Sequence, residues 1–472
     1  MTDHRSTDHR IPDVNAIDDR VFPRGARRGS ECGALKIGGI RATELIEQFG
    51  SPLYVVDENA TRETAREIRD ALRGEAQRVG TDATVYYASK AFLSVETARW
   101  MDEEGLAIDV ASGGELLVAL AAGVDPRRIG FHGNNKSEAE IARAVEAGVG
   151  TIIIDSAIEV ERIAAATAAA GTRQRVRLRV NSGVHASTHD YLATAHEDQK
   201  FGMPLSAAPA LVREIVSHAG LDFVGLHCHI GSQIFATEGF RESARRLLGV
   251  YVELAEIAGR HIPELNLGGG FGIAYTPEQA AEAPNVSDIA RQLADIVAEE
   301  SKAAGIEIPH LAFEPGRAVV GQSGVTLYTV GTTKRVDLTG TGEADPVDRG
   351  YTERLYVSVD GGMSDNARPA LYGSDYHVRI ANRASDAEAA LVRVVGKHCE
   401  SGDIVVYRDE LPADVAPGDT LAVAATGAYC WSLSSNYNFI PRPPVVAVRD
   451  GAARVIVRGQ TEADLLAQSV VA

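Results

Sequence analysis

Three segments set lysine, carboxylate and glycine residues where their surroundings alter what a proton or a backbone amide can do. Lys90 closes the run YYASK, which otherwise reads as buried strand. A lysine short of water has to be paired or put to use, and such lysines form Schiff bases with carbonyl compounds. Taken alone, a lysine at a strand end is more often a surface group. Glu314 opens EPGR, where Pro315 and Gly316 force a sharp departure and Arg317 follows. A carboxylate held there can hydrogen-bond a pyridine nitrogen and keep it protonated, the condition under which pyridoxal 5'-phosphate acts as an electron sink; a structural Glu–Arg pair is the plainer alternative. In GGGFG, Gly268 to Gly272, the missing side chains let backbone N–H groups approach a phosphate, or simply make a tight turn. The pattern is not GxGxxG, which disfavours a dinucleotide site.

Four further segments carry weaker signals. In HCHIGSQ, His227 and His229 flank Cys228, and strand positions two apart face the same way. No second pair of recognisable spacing supplies the rest of a four-ligand zinc site, so no metal is expected. A histidine stacked on a flat ring, with Ser232 reaching an anion, fits better. KHCESGD puts Cys399 and Glu400 in a turn, with Cys399 a proton donor, a nucleophile or an inert thiol. DNARPALYG brings Arg368, suited to bidentate capture of a carboxylate, and Tyr372; GAYCWS brings Tyr429.

The elements that must position these residues fall into two textures. From about Tyr86 to Arg317, eight short apolar or β-branched runs alternate with amphipathic segments: 85–90, 106–112, 129–134, 151–156, 175–181, 223–231, 264–270 and 310–317. Helical stretches such as SEAEIARAVEAGV lie between them, with Ser137 and Glu140 as a capping box. Eight alternations over such a length match a closed (β/α)8 barrel of ~250 residues better than an open sheet. Lys90, Asp109, His132, Asp155, Arg179, His229, Gly268 to Gly270 and Glu314 each fall at the C-terminal end of a run, the face where such barrels place their chemistry. After Ala318 the chain turns to strand runs separated by Gly and Asp turns. The expected fold is therefore α/β: a TIM-like (β/α)8 barrel with a C-terminal β-rich domain of barrel or sandwich type. The expected organisation is a flexible leader over 1–30, a segment over 31–56 that contributes to or leads from the β domain, the barrel over 57–318 and the β-rich domain over 319–472. Segments 182–200 and 338–353 read as longer loops, a length that often serves function.

Composition narrows the partners. Lys and Arg number 47 against 65 Asp and Glu, a net charge of -18 that opposes binding to nucleic acid or anionic lipid through a general basic surface. No apolar stretch approaches the ~20 residues of a membrane span, and the first thirty residues lack the apolar segment of a secretory signal. The four cysteines are scattered without a CxxC pair, which fits a reducing cytoplasm.

YYASKAF, HCHIGSQ, GGGFG, EPGR, DNARPALYG, KHCESGD and GAYC, in that order, resemble the pyridoxal-phosphate-dependent decarboxylases of the alanine-racemase-like fold, also called fold type III. Within them the likeness is greatest to those that act on meso-2,6-diaminoheptanedioate (meso-diaminopimelate), and it runs from about residue 35 to the end. Two departures, SKAF for the commoner LKAN and KHCESGD for PICESGD, leave every reactive group in place. The resemblance implies that Lys90 attaches the cofactor, His229 stacks on its ring and Glu314 bonds its pyridine nitrogen. Ser232, Gly268, Gly269, Gly270 and Tyr429 would hold the phosphate, with Asp109, Pro315, Gly316 and Arg317 as further cofactor contacts. Arg317, Arg368, Tyr372, Glu400 and Tyr429 would bind substrate. Cys399 would return the proton, and Cys399 and Glu400 would come from the partner subunit of a homodimer with shared sites. The implied activity is decarboxylation of meso-diaminopimelate to L-lysine and CO2, the last step of lysine biosynthesis, with Arg368 gripping the distal carboxylate. Rival readings are an ornithine or arginine decarboxylase, an amino-acid racemase, and a non-catalytic homologue that binds another protein. Lys90 together with Cys399 argues against the last.

Overall fold

A computed structural model describes residues 13–184, 200–340, 342 and 350–470. Most of the two expected long loops lies outside the described residues. The chain forms two compact units, one of residues 60–273 and 281–321, the other of residues 13–59, 274–280 and 322 onward.

The first unit is a closed parallel barrel of eight strands: β1 Ala83–Ala88, β2 Ala107–Val110, β3 Ile129–Phe131, β4 Thr151–Ile154, β5 Gln174–Asn181, β6 Leu221–His227, β7 Glu264–Asn266 and β8 His310–Phe313. Each strand pairs with the next, and β8 closes on β1 through Leu311 opposite Ala83. The strands are short and apolar because both faces are covered; Ile152, Ile153 and Ile154 of β4 are all buried. The helices between them begin where the sequence offers a cap. Ser94 and Ser112 each accept the N–H three residues on, and Ser137 with Glu140 forms the full capping box. Inside the barrel, Arg177 donates to Glu264 at 2.8 and 3.0 Å and lies over the Tyr86 ring. A buried guanidinium is tolerable only when paired in this way.

The second unit is built on a sheet whose long strand Gly324–Asp337 serves two neighbourhoods. Its first half pairs with Leu53–Asp57 and with Thr420–Val423, and its second half, after a register shift near Gly331, with Glu353–Val359. Ala389–Val395 and Ile404–Pro412 extend one side, and Val445–Arg449 with Ala452–Val457 the other. Residues 13–30 differ from the mobile leader expected of them. Val21 and Phe22 are buried, the Phe22 ring stands edge-on to His377, and Arg28 donates to the carbonyls of Ile380 and Arg383. Val14 and Ala26 are buried as well, and these few apolar side chains anchor an otherwise polar stretch.

Candidate active site

The strand ends of the barrel converge on a cavity of about 340 Å³ lined by Lys90, Asp109, His132, Arg179, His227, His229, Gly269 and Glu314, among others. Lys90 stands in the turn Ser89–Ala91 just beyond β1. Its side chain lines an open cavity and so retains accessible surface, yet protein atoms surround it on most sides. Loss of bulk water lowers its ammonium pKa, against the pull of Glu314. Gly316 explains how EPGR passes this turn: a Cβ there would lie 2.8 Å from the Ala88 carbonyl, while Ala88 N–H donates to the Pro315 carbonyl at 3.1 Å.

Glu314 is the hub. Its two oxygens meet Asn266 Nδ2 at 2.6 Å, His227 Nε2 at 3.1 Å and His132 Nε2 at 3.2 Å. Burial works against its charge, but the two imidazoles outweigh burial and hold the carboxyl well below its usual range. At neutral pH the positive charge comes from His132. Burial disfavours that cation, yet Glu314 and Asp109 raise its pKa to about 9. His227, which burial drives down to about 4, is neutral and contributes its N–H. Asp109 lies 3.3 Å from the same Nε2, and a single N–H cannot serve two carboxylates, so burial and the charge of Glu314 push its pKa up.

His229 accepts the Gly269 N–H on Nδ1 at 3.3 Å, and burial together with Lys90 lowers its pKa to about 3. A neutral, flat ring therefore lines the cavity. In the glycine loop, a Cβ at Gly269 would fall 2.1 Å from the Glu314 carbonyl, and one at Gly268 2.7 Å from the Cys228 carbonyl. Only glycine lets the loop pack this closely. Arg317 donates to Ser232 Oγ at 2.9 Å.

These features fit pyridoxal 5'-phosphate. The buried Asp109 carboxylate has no partner beyond its ion pair with His132, the side-chain-free Gly269 lines the cavity, and Lys90, its ammonium pKa lowered, shares that cavity with the ionised Glu314. Of the two histidines weighed as metal ligands from sequence, His227 Nε2 lies 3.1 Å from Glu314 and His229 Nδ1 accepts the Gly269 N–H.

Arg368, Tyr372, Cys399, Glu400 and Tyr429 belong to the second unit. Arg368 is buried, donates to the Tyr376 hydroxyl and lies 4.5 Å over the Tyr275 ring. Tyr372 is 68% exposed at the end of the short helix Arg368–Tyr372. Cys399 and Glu400 are exposed in one turn. Tyr429 takes a φ of 62°, unusual for a bulky residue and a mark of a position over-determined by its surroundings.

Three site residues escape a reading by motif. Asn266, fully buried, bridges the Gly268 N–H to Glu314. Its signal is an asparagine at the end of an apolar strand, which has to find partners. Glu115 receives Ser89 Oγ at 2.8 Å and the Ala111 N–H at 2.6 Å, in what looks from sequence like an ordinary capping position. Phe201 lies under Arg179, 4.4 Å from the guanidinium. Asp155, at the end of its run, does not line the cavity; it sits 3.6 Å from Arg179 and accepts the Gly202 N–H.

Comparison with known proteins agrees with this arrangement. The family model described as the pyridoxal-binding domain of pyridoxal-dependent decarboxylases matches residues 65–321, more than half of the chain. The chain is 48% identical to the diaminopimelate decarboxylase of Mycobacterium leprae over 99% of its own length and 97% of the relative's. It is 41% identical to that of Bacillus subtilis, covering 94% and 97%. Its fold matches the crystal structure of diaminopimelate decarboxylase from M. jannaschii in complex with L-lysine, with a TM-score of 0.84, 31% identity and coverage of 96% and 99%. With the barrel, its lysine and its carboxylate in place, the chain belongs to the diaminopimelate decarboxylase family of pyridoxal-dependent decarboxylases.

Proposed function

We propose that this protein removes a carboxylate from the D-configured carbon of meso-2,6-diaminoheptanedioate and releases L-lysine and CO2. One joint observation carries the reading: full-length likeness to enzymes of that name, and a cavity lined both by Lys90, whose ammonium pKa is lowered, and by the ionised Glu314. L-lysine, the product on this reading, is the molecule bound in the M. jannaschii structure.

Pyridoxal 5'-phosphate, the cofactor, supplies when bound an aldehyde to engage the substrate amine and a conjugated ring that accepts the electrons CO2 leaves behind. The chain supplies the rest. Lys90 holds the cofactor, and its lowered pKa favours the uncharged amine that can attack a carbonyl and carry protons. Glu314, kept ionised, is the group that would accept the ring N–H and keep that proton in place. His229 offers a neutral ring face, and Ser232, the Gly268–Gly270 loop and Tyr429 would hold the phosphate. Asp109, Pro315, Gly316 and Arg317 complete the cofactor's surroundings. Arg317, Arg368, Tyr372 and Tyr429 take substrate polar groups, with Arg368 on the distal carboxylate that ornithine lacks.

The protein works as a homodimer on this reading. The partner subunit's Cys399 delivers a proton to the carbon that lost CO2, and the partner subunit's Glu400 contacts substrate. In support, the second unit presents Cys399 and Glu400 outward and leaves Leu371, Tyr372 and Phe439 exposed, large apolar groups that a contact between copies would cover. Among the described residues no helix is long and apolar enough to cross a membrane. The four cysteines are free thiols, which suits the cytoplasm as the site of action.

A substrate panel tests the reading. Released CO2 should be found with meso-diaminopimelate and fall to background with ornithine, arginine and lysine; faster release from any of the other three would replace the assignment.

A further inference from the structure

Cys399 sits in a turn gripped on two sides. On one side the Asp403 carboxylate accepts the His398 N–H at 2.8 Å, His398 Nδ1 at 2.9 Å and the Met363 N–H at 2.6 Å. It can lie there because Gly362 and Gly396 leave room: a Cβ on either would come within 2.5 Å of a carboxylate oxygen. Glu400 closes the same turn, its Oε1 accepting Ser401 Oγ and the Gly402 N–H, each at 3.2 Å. Every one of these bonds involves residues beside Cys399 rather than Cys399 itself.

The opposite side is formed by the segment Tyr437–Phe439. The His398 ring stacks on Tyr437 with centroids 5.6 Å apart and planes 2° from parallel. One residue further along each segment, the Cys399 N–H donates to Asn438 Oδ1 at 3.1 Å. Asn438 reaches that position from a left-handed backbone, φ 51° and ψ 26°, and Phe439 follows with φ 56°. Two consecutive non-glycine residues in this region are uncommon, and asparagine tolerates it better than most. The conformation is locked from behind: Asn436 Nδ2 bonds the Ile440 carbonyl at 3.0 Å and Gln460 Oε1 at 2.6 Å, and the Phe439 N–H returns to the Asn436 carbonyl at 2.8 Å. Such strain is retained where the surroundings fix it for a purpose.

We propose that Asn438 is a positioning residue for the reaction: its side-chain carbonyl holds the Cys399 backbone amide and thereby sets where the thiol is presented. The inference rests on the reading of Cys399 as proton donor. Asn438 touches neither cofactor nor substrate in this role; it acts through Cys399 alone.

Three variants of the full-length holoenzyme separate this from a merely structural role. Asn438→Gly keeps the left-handed backbone and removes the acceptor; kcat should fall about five- to tenfold with KM unchanged and the thermal midpoint within about 3 °C of native. Asn438→Asp restores an acceptor of the same reach and should recover most of the loss. In a Cys399→Ala background, Asn438→Gly should cost nothing further, because residues acting as a unit are not additive. Native turnover in Asn438→Gly, failure of Asp to rescue, or an added loss in the double variant would each overturn the inference. Native turnover in Cys399→Ala alone would instead strike the donor reading itself, and the inference with it.

Discussion

The barrel cavity and the thiol-bearing turn of the second unit treat reactive groups in opposite ways. In the cavity, Glu314, His132, His227 and Asp109 are withdrawn from water and set against one another, so that each proton's location is decided by its neighbours. In the turn, Cys399 and Glu400 face outward, and the hydrogen bonds go to the backbone around them, buried at His398 and exposed at Cys399. A group that must hold one protonation state throughout a reaction gains from burial with a partner. A group that must be delivered to a site gains from a rigid support and an open side.

The contrast is challenged most severely by putting the two halves on different chains. Lys90→Ala alone should lose at least about 10³-fold in turnover, and Cys399→Ala about 10²-fold. Mixed and allowed to exchange subunits, they should recover about a quarter of native activity, since half the dimers carry one intact site of two. Confirmed mixed dimers without recovery would place both groups in one chain's site.

A smaller change bears on the cavity side. Glu314→Gln leaves the His132 cation facing only Asp109, and loss of one partner from a buried charge network costs about 3 kcal/mol. Denaturant unfolding should show that loss, and the His132 pKa, followed by NMR, should drop from about 9. An unchanged titration would mean that Glu314 does not hold the proton on His132.

The weakest dependence is on pH. His227 and His229 have folded pKa values lowered to about 4 and about 3 from 6.5, so the unfolded chain binds more protons over that range and stability falls as pH drops below about 6.5. His132 runs the other way: its folded pKa is raised to about 9, so its contribution is complete below 6.5 and is lost as pH rises toward 9. The barrel unit should therefore melt highest near pH 6.5, whereas a midpoint rising steadily to pH 9 would contradict the charged His132.

Much of this architecture is legible in the amino-acid sequence. All eight apolar runs form the barrel strands, since short apolar stretches between amphipathic segments admit few other folds, and their polar last residues share one face because parallel strands end together. What escapes such a reading depends on contacts between distant segments. Nothing local tells His227 to face Glu314 across 87 positions, or Asn438 to take the Cys399 amide across 39. Residues 274–280 give no local sign that they join the second unit, and Val21 and Phe22 are too brief a signal to mark their stretch as packed.

The proposed covalent role of Lys90 underlies the chemistry of the cavity. Holoenzyme treated with borohydride and digested should yield one peptide carrying the mass of reduced cofactor on the Lys90 Nζ, with the visible absorption band bleached. Cofactor mass on a different lysine, or none after saturation with pyridoxal phosphate, would contradict it.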